Sequence, residues 1–439
     1  MSSNTEILPI YYNSVTMKYL RRNPNGRWQS FGIRELTTRL VEAGLSRKID
    51  KDNPLSECEI MRHRITDEHD VVWSGSVAGH REGFYEKNGF RYLVVDSPTL
   101  IEPEEGEWPV IHQLLFNMFG EVQYAVFLSW LKIAASSLRS GNWSQQQAMA
   151  IAGEAGSGKS FVQNHIITPC LGGRSAKAAR YMLGISQFNA DLFEVEHLVM
   201  DDEFVSHKIT DRLALGASIK KMTVSTEGES LHGKGNNAIT MTPFWRLSFT
   251  LNDNAEALQV LPPLNEDVTD KIIILKATKH EFPMPTYTQE EKSLFLSMIR
   301  SEMPAFLNHL LHEFRIPEQM KDSRYGIKTF QNPDIIEALN EIAPETTLLR
   351  LIDSVLQDEE TKIEALELRD RLYCNADTSE EARKLLDGNV QKTASYLGRL
   401  ARKHPHRFIR PTNNKNRKWT IKCDTSKDEA RAIFILDNL

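Results

Sequence analysis

The sequence predicts an α/β protein: a parallel sheet covered on both faces, with a small α+β part before it and a second, basic part after it. Three observations carry this. Across residues 148–277 short apolar runs alternate with helical segments, the pattern of a buried parallel sheet. The first of these runs is followed at once by a glycine-rich loop and a helix start. On either side of this stretch the patterning changes, at about residue 104 and again at about residue 346.

The size and composition agree. The chain has 439 residues, and about 150 residues per domain gives about three domains. Hydrophobic residues make up 41% and charged residues 26%, which excludes a disordered, collagenous or disulfide-scaffold chain. With 53 Lys+Arg against 59 Asp+Glu and a net charge of −6, a uniformly basic nucleic-acid coat is excluded, but a local basic face is not. The four cysteines, Cys58, Cys170, Cys374 and Cys423, stand singly with no C-x-x-C. They suggest neither a zinc ribbon nor a disulfide framework and fit a reducing compartment. The N-terminal residues lack the basic-then-apolar order of a signal peptide, and the apolar stretch from Phe127 to Leu138 carries Lys132 and three serines, so it reads as a buried helix. The expectation is a cytoplasmic protein with no membrane partner.

Residues 1–104 mix short β-like runs and polar loops, with Arg91–Val95 the clearest strand. Asp67-Glu-His-Asp70 reads as a polar loop in preference to a metal site, and nothing here assigns this region a role. Ile101–Pro109, acidic with two prolines, reads as a linker. Val110–Leu138 has apolar residues at helical spacing, interrupted near Gly120, so two helices are expected in a lead-in spanning 105–147. In the core, 148–280, strands are expected at Ala148–Ala152, Leu198–Met200, Arg246–Leu251 and Ile272–Leu275. A helical extension, 281–345, carries Phe295, Leu296, Ile299, Met303, Phe306, Leu310 and Leu311 on one stripe.

Gly153-Glu154-Ala155-Gly156-Ser157-Gly158-Lys159-Ser160 matches G-x-x-x-x-G-K-[ST] at every fixed position. An apolar strand precedes it and a helix, Phe161–Ile167, is expected after it, the context such a loop requires. Glycines let backbone N–H groups converge on phosphates, the helix N-terminus adds a favourable dipole, Lys159 reaches the β- and γ-phosphates, and the Ser160 hydroxyl ligates Mg²⁺. The expected cofactors are therefore ATP and Mg²⁺. About forty residues on, His197-Leu-Val-Met-Asp201-Asp202-Glu203 is a hydrophobic strand ending in acids. One carboxylate can hold a hydrated metal and another can polarise the attacking water. Asp201 is assigned to the metal and Asp202 to the water, with Glu203 as the competing choice. The bland alternative is a solvated acidic turn.

The following segments are Arg212–Lys221, then Leu231-His232-Gly-Lys234-Gly-Asn-Asn237, then Thr242–Asn254. Their order resembles the superfamily 3 helicases of the AAA+ class, found in viruses, phages and mobile elements. These carry a phosphate loop, an acidic strand end, a lysine-bearing hairpin and an asparagine-ended strand within a little over a hundred residues. The likeness is to the helicase part of phage and plasmid primase–helicase proteins, and it covers roughly residues 108–345. It implies that Asn252 positions the lytic water opposite Asp202. It also implies that Lys234, with His232 beside it, sits at a hairpin tip facing a central channel. The residues themselves agree, since His-Gly-Lys-Gly-Asn-Asn is a flexible turn presenting one cation, suited to phosphate contact without base readout. Lys220 or Lys221 matches a cation that reaches the nucleotide of a neighbouring subunit, and the two are not separable. Where relatives often place a trans-acting arginine before the last core strand, this chain has Lys271. A lysine can neutralise charge there but lacks the bidentate fork, so Arg246 and Arg212 stand as alternatives.

From Lys392 to Lys422 there are ten Lys or Arg and no Asp or Glu. A helix, Gln391–Lys403, and a two-stranded ribbon, Phe408–Ile409 and Trp419–Ile421, make residues 346–439 a winged-helix-like basic domain. Tyr396, Arg399, Arg402 and Lys403 are then candidates for a DNA groove, and Lys415, Arg417 and Lys418 for phosphate contacts. The competing reading is a basic face packed on an acidic neighbour.

The expectation is an ATPase coupled to DNA translocation or unwinding, acting in replication of a phage, plasmid or mobile element. By resemblance it is a homo-oligomer, a hexamer, with single-stranded DNA in its channel, duplex DNA at the C-terminal domain and replication proteins as further partners. The rival is a non-unwinding AAA+ switch that assembles on ATP and recruits a replication or effector protein. A phosphate-loop kinase for a small substrate is disfavoured by the asparagine-ended strand and the added C-terminal domain.

Overall fold

A computed structural model describes residues 9–49, 53–87, 89–201, 209–224, 229–231, 239–264, 267–341, 343–356, 360–411 and 417–422. The chain divides into two compact units, residues 1–332 and 333–439. The pattern change expected near residue 346 thus falls earlier, at a proline. Residues 9–104 do not stand apart but belong to the first unit.

The N-terminal part of that unit holds β1 (Tyr11–Asn13), β2 (Lys18–Arg22), β3 (Trp28–Phe31), α1 (Ile33–Glu42), α2 (Glu57–Glu68) and β4 (Asp70–Val71). β5 (Trp73–Gly75), β6 (Gly83–Lys87) and β7 (Phe90–Val94) follow. Its two small sheets run β3-β2-β1-β4 and β5-β7-β6. Ser56 and Glu59 form a capping box that starts α2, satisfying two of its orphan donors. This part is fastened to the core by apolar and polar contacts. Val77, Tyr92 and Val94 share a cluster with Phe193 and Met241. The fully buried Glu196 accepts from the Gly79 N–H at 2.8 Å and from Arg174 at 2.5 and 3.0 Å. Asp67–Asp70, set aside above as a metal site, spans the end of α2 and the start of β4, and no metal-holding group of acids, His or Cys occurs among the described residues.

α3 (Pro109–Ser140) is broken at Gly120, whose φ of 64° takes it out of the helix, so the expected two helices are joined through a kink at the expected glycine. It is long and apolar enough to cross a membrane. Here, however, Leu114, Leu115, Phe127, Trp130, Leu131 and Ala134 are buried against the central sheet and the later helices, so it serves as a core helix. Glu302 caps its start by accepting from the Val110 and Ile111 N–H groups.

The core comprises β8 (Ala148–Gly153), α4 (Lys159–Val162), a π-turn (Gln163–Ile167) continuing into α5 (Thr168–Cys170), and β9 (Ser175–Lys177). After these come α6 (Ala179–Met182), α7 (Ala190–Phe193), β10 (His197–Met200), α8 (Ile209–Val224), β11 (Glu229–Leu231), β12 (Ile239–Met241), β13 (Arg246–Leu251), α9 (Ala255–Leu258) and β14 (Ile272–Ala277). The sheet is five-stranded, in the order β14-β8-β13-β10-β9, and parallel throughout. All four expected strands are present. β8, β10 and β13 are buried at every position, which accounts for their unbroken apolar runs. α10 (Gln289–Asn308) buries Phe295, Ile299, Met303 and Phe306. A short hairpin, β15 (Lys321–Asp322) and β16 (Gly326–Ile327), then closes the unit.

The second unit contains α11 (Pro333–Glu341), α12 (Pro344–Val355), β17 (Glu360–Glu364), α13 (Ala365–Cys374), α14 (Ser379–Leu386), α15 (Val390–Lys403), β18 (Phe408–Ile409) and β19 (Lys418–Lys422). An antiparallel sheet, β17-β19-β18, and the helices enclose their own core of Leu351, Ile352, Ile363, Leu368, Leu397, Leu400, Phe408 and Ile421. Both ribbon strands fall where expected; β17 was not foreseen.

Candidate functional site

The glycine-rich loop leaves the C-terminal end of β8, in mid-sheet, and enters α4 at Lys159. Its geometry explains its glycines. Gly156 and Gly158 have φ of 81° and 88°, a region that disfavours residues with a Cβ. A Cβ on Gly153 would lie 2.3 Å from the Ala277 carbonyl oxygen on β14. Glu154, Ala155 and Gly156 are exposed, while Ser157 and Lys159 are buried. The Lys159 ammonium donates to the carbonyls of Gly153 and Glu154 at 2.7 and 2.8 Å, and lies 3.4 Å from the Ser157 hydroxyl. Ser160, in the first helical turn, is exposed. The first N–H groups of a helix have no acceptor within it, so this end offers a rim of donors, one ammonium and one hydroxyl. That donor set, together with a loop whose backbone a side chain would foul, fits a polyphosphate and its metal.

The neighbouring strands bring two more candidates alongside. Leu251 pairs with Ala152, so Asn252, partly buried, stands beside Gly153 at the mouth of the loop. Met200 pairs with Phe249, which puts Asp201 level with Thr250, at the end of the strand beyond. Asp201 is held by an ion pair to Lys177 of edge strand β9 at 3.0 Å. Asp202, Glu203, His232 and Lys234 lie outside the described residues.

Lys271, Lys220 and Lys221 are not at this site. Lys271 precedes β14, whose last residue, Ala277, pairs with Gly153. Six residues at about 3.3 Å each put Lys271 roughly 20 Å from the loop, at the opposite edge of the sheet. Its side chain is buried and bonded to Asp270 at 2.5 Å. Lys220, exposed on α8, is 3.6 Å from Asp267 in the same approach to β14, and Lys221 is exposed beside it. Of the alternatives to Lys271, Arg246 is excluded. It is 6% exposed, donates to the carbonyls of Trp245 and Ser144 and stacks on Phe244; burial pushes its guanidinium down to about 9. Arg212 donates to the Leu261 carbonyl at 3.0 Å and is half-buried. Sequence reasoning missed Arg324, an exposed arginine on the β15–β16 turn that binds the other oxygen of Asp270 at 2.9 Å. Only the topology brings it beside Lys271.

In the second unit, α15 carries Tyr396, Arg399, Arg402 and Lys403. Arg399 and Lys403 turn to one carboxylate, Glu345 of α12, at 3.4 and 3.2 Å, and Arg399 also lies over the Tyr396 ring. Burial pushes Glu345 up, but its own backbone N–H and then the Lys403 and Arg399 cations outweigh this and hold it below the usual carboxylate range. Arg402, Arg417 and Lys418 are exposed; Lys415 lies outside the described residues. Arg399 and Lys403 are thus packed on an acidic neighbour, while Arg402, Arg417 and Lys418 face solvent.

A model of a family of unknown function (DUF5906) matches residues 151–267, the stretch from the phosphate loop to the approach to β14. No curated protein matches the chain. Among solved structures, the apo structure of the NrS-1 C-terminal region is similar with a TM-score of 0.53 at 14% identity, over 94% of this chain and 96% of that one. Its A form gives 0.51 at 13% identity over the same shares. This chain and the NrS-1 region therefore share a fold over nearly their whole lengths. A JCV helicase structure with a bound small molecule matches 46% of this chain and 54% of its own at 14% identity and a TM-score of 0.24, a likeness too slight to inform the reading.

Proposed function

We propose that this protein is an ATP-driven DNA helicase or translocase of the superfamily 3, AAA+ type, serving replication of a phage, plasmid or mobile element. One observation carries the reading: the sheet order inserts β13 between the phosphate-loop strand β8 and the acid-ended strand β10. The loop, Asn252 and Asp201 thereby come to one edge of the sheet. The whole-chain similarity in fold to the NrS-1 region is in keeping with it.

In this reading Gly153–Ser160 cradle the phosphates of ATP, and Lys159 gives up its loop carbonyls to neutralise β- and γ-phosphate charge. Ser160 and Asp201 hold Mg²⁺. Asp202, or Glu203 in its place, takes the proton of the attacking water while the Asn252 amide orients it. Bound Mg·ATP supplies the electrophilic phosphorus. Lys271 is about 20 Å from its own loop, and Lys220 lies against the same approach to β14; in this reading Lys271 and Lys220 or Lys221 act on the loop of an adjacent copy. The resemblance implies that the copies form a ring, a hexamer. Arg324 joins Arg212 and Lys271 as a candidate for the trans-acting cation, and it alone of the three pairs an exposed guanidinium with a position against the segment leading into β14. His232 and Lys234 grip one DNA strand, and hydrolysis moves them along it. The second unit, a winged-helix-like fold of α12, α13, α15 and the β17-β19-β18 sheet, adds phosphate contacts through Arg402, Arg417 and Lys418, with Lys415 between them.

A second reading has one specific observation in its favour. Arg399 and Lys403 are engaged by Glu345 of their own unit, which removes them from the phosphate contacts of the first reading; the alternative is an ATP-dependent switch that recruits a replication protein. Strand displacement from a forked duplex decides. Wild type displaces the strand with ATP and Lys159→Ala does not; no displacement by wild type that hydrolyses ATP leaves the switch.

A further inference from the structure

One helical turn beneath the phosphate loop lies a closed ring of buried hydrogen bonds that the mechanism above does not use. Gln163, Thr168, His197 and Ser248 are 2%, 6%, 0% and 0% exposed. The Gln163 Nε2 donates to the Ser248 carbonyl at 3.2 Å and to its hydroxyl at 2.8 Å. The Ser248 Oγ is 2.7 Å from His197 Nε2, His197 Nδ1 is 2.7 Å from the Thr168 Oγ1, and the Thr168 hydroxyl donates to the Gln163 carbonyl at 3.0 Å.

Proton counting gives the ring one direction. The Ser248 carbonyl only accepts, so the amide nitrogen of Gln163 faces it. The Thr168 hydroxyl spends its single proton on the Gln163 carbonyl and must accept from His197 Nδ1–H. Neutral His197 then has a bare Nε2, which takes the Ser248 hydroxyl proton, and Ser248 Oγ in turn accepts from Gln163. Every donor has an acceptor, and burial holds His197 uncharged, well below its ordinary range. Reversing the ring would set the Thr168 and Gln163 oxygens against each other without a proton.

The placement of the ring suggests its use. Gln163 follows Lys159 by four residues on the same helix, His197 precedes Asp201 by four on β10, and Ser248 precedes Asn252 by four on β13. The phosphate-loop helix is thus braced against the bodies of both strands, about 13 Å back from Asp201 and Asn252 along each. The π-turn that starts at Gln163, closed by the Thr168 N–H and hydroxyl on the same carbonyl, is what lets both side chains face the strands, and such turns recur at functional sites. An apolar filling of this space would avoid the desolvation of four polar groups, so packing alone does not call for a ring.

We propose that Gln163 is a positioning residue for hydrolysis: through the ring it fixes the phosphate-loop helix against the strands that carry Asp201 and Asn252. This rests on the reading of the site as a nucleotide hydrolase. A misplacement of about 1 Å can cost about a hundredfold in rate, so kcat is expected to suffer while ground-state binding does not.

The test compares Gln163→Met, Thr168→Val and Thr168→Ser with wild type. Its readouts are ATP turnover, the affinity for a fluorescent ATP analogue, thermal melting, and the ¹⁵N imidazole spectrum of His197. For Gln163→Met and Thr168→Val we expect kcat at least about tenfold lower with analogue affinity within about threefold. Thr168→Ser, which keeps the hydroxyl, should stay within about threefold of wild type in kcat. His197 should be the neutral Nδ1–H tautomer, and its signals should move on adding the analogue in wild type but not in Gln163→Met. A folded Gln163→Met with near-wild-type kcat, or an Nε2–H tautomer, overturns the proposal. If Gln163→Met does not fold, the Thr168 pair decides in the same way: equal kcat in Thr168→Val and Thr168→Ser overturns it. Wild type that binds the analogue but never hydrolyses ATP, or does not bind it, refutes the hydrolase reading itself and takes the positioning role with it; the tautomer is read independently of either.

Discussion

Replacing Glu196 by alanine tests how the N-terminal region is joined to the core. The carboxylate is fully buried, bonded to two nitrogens of Arg174 and to the Gly79 N–H. Its removal strands a guanidinium whose side chain is 17% exposed and orphans a backbone donor. Breaking a buried pair from one side costs about 3–5 kcal/mol, and the partial exposure of Arg174 favours the lower figure, about 3 kcal/mol. At about 2 °C per kcal/mol for a unit of this size, the melting temperature should fall by about 6 °C. Asp96→Asn is the control. That carboxylate also pairs with Arg174 but is half exposed, so the change should cost no more than about 1 kcal/mol. Calorimetry supplies the melting temperatures, and limited proteolysis should show residues 9–104 becoming cleavable in Glu196→Ala alone. A melting temperature within about 2 °C of wild type, or an equal loss in Asp96→Asn, would refute the claim that the buried Glu196, held by Arg174 and bonded to the Gly79 N–H, fastens the two parts.

Two further outcomes are expected. His197 is pushed down to about 3 by burial, whereas in the unfolded chain it titrates near ~6.5. Between these values the unfolded state binds the extra proton, so the stability from keeping His197 neutral is whole above about pH 6.5 and is lost as pH falls toward about 3. It amounts to several kcal/mol at about 1.4 kcal/mol per unit, and His197→Gln should flatten the pH dependence of urea unfolding over that window; an unchanged slope would contradict it. In the second unit, Arg402→Ala and Arg417→Ala should each lower the slope of log K against log salt for DNA binding by about 1, whereas Glu345→Gln, by releasing Arg399 and Lys403, should strengthen salt-dependent binding. Slopes that do not move would assign the basic face to a protein partner.

What the sequence made legible follows from the period of each element. β8, β10, β13 and β14 are buried on both faces and so read as plain apolar runs, and the phosphate loop is a contiguous motif. Edge strand β9, Ser-Ala-Lys with two exposed positions, and β17, Glu-Thr-Lys-Ile-Glu with alternating burial, have no such signature and were missed. The division at residues 332 and 333 was masked because α11 and α12 continue the amphipathic pattern of α10. Relations across the fold were beyond reach in a different sense. The exclusion of Arg246 depends on its burial, the pairing of Arg324 with Asp270 on a hairpin far down the chain, and the Gln163 ring on strands brought together by the sheet order. None of these is carried by local spacing. The tie of Arg399 and Lys403 to Glu345 likewise needed the packing of α12 on α15.

The central claim is most directly tested by ATP turnover of the purified chain as single-stranded DNA is titrated in, with Lys159→Ala and Lys234→Ala alongside. The account predicts turnover that rises several-fold with DNA, is abolished by Lys159→Ala, and in Lys234→Ala persists without the DNA response. Turnover that is lost with Lys159 but indifferent to DNA and to Lys234 would contradict translocation.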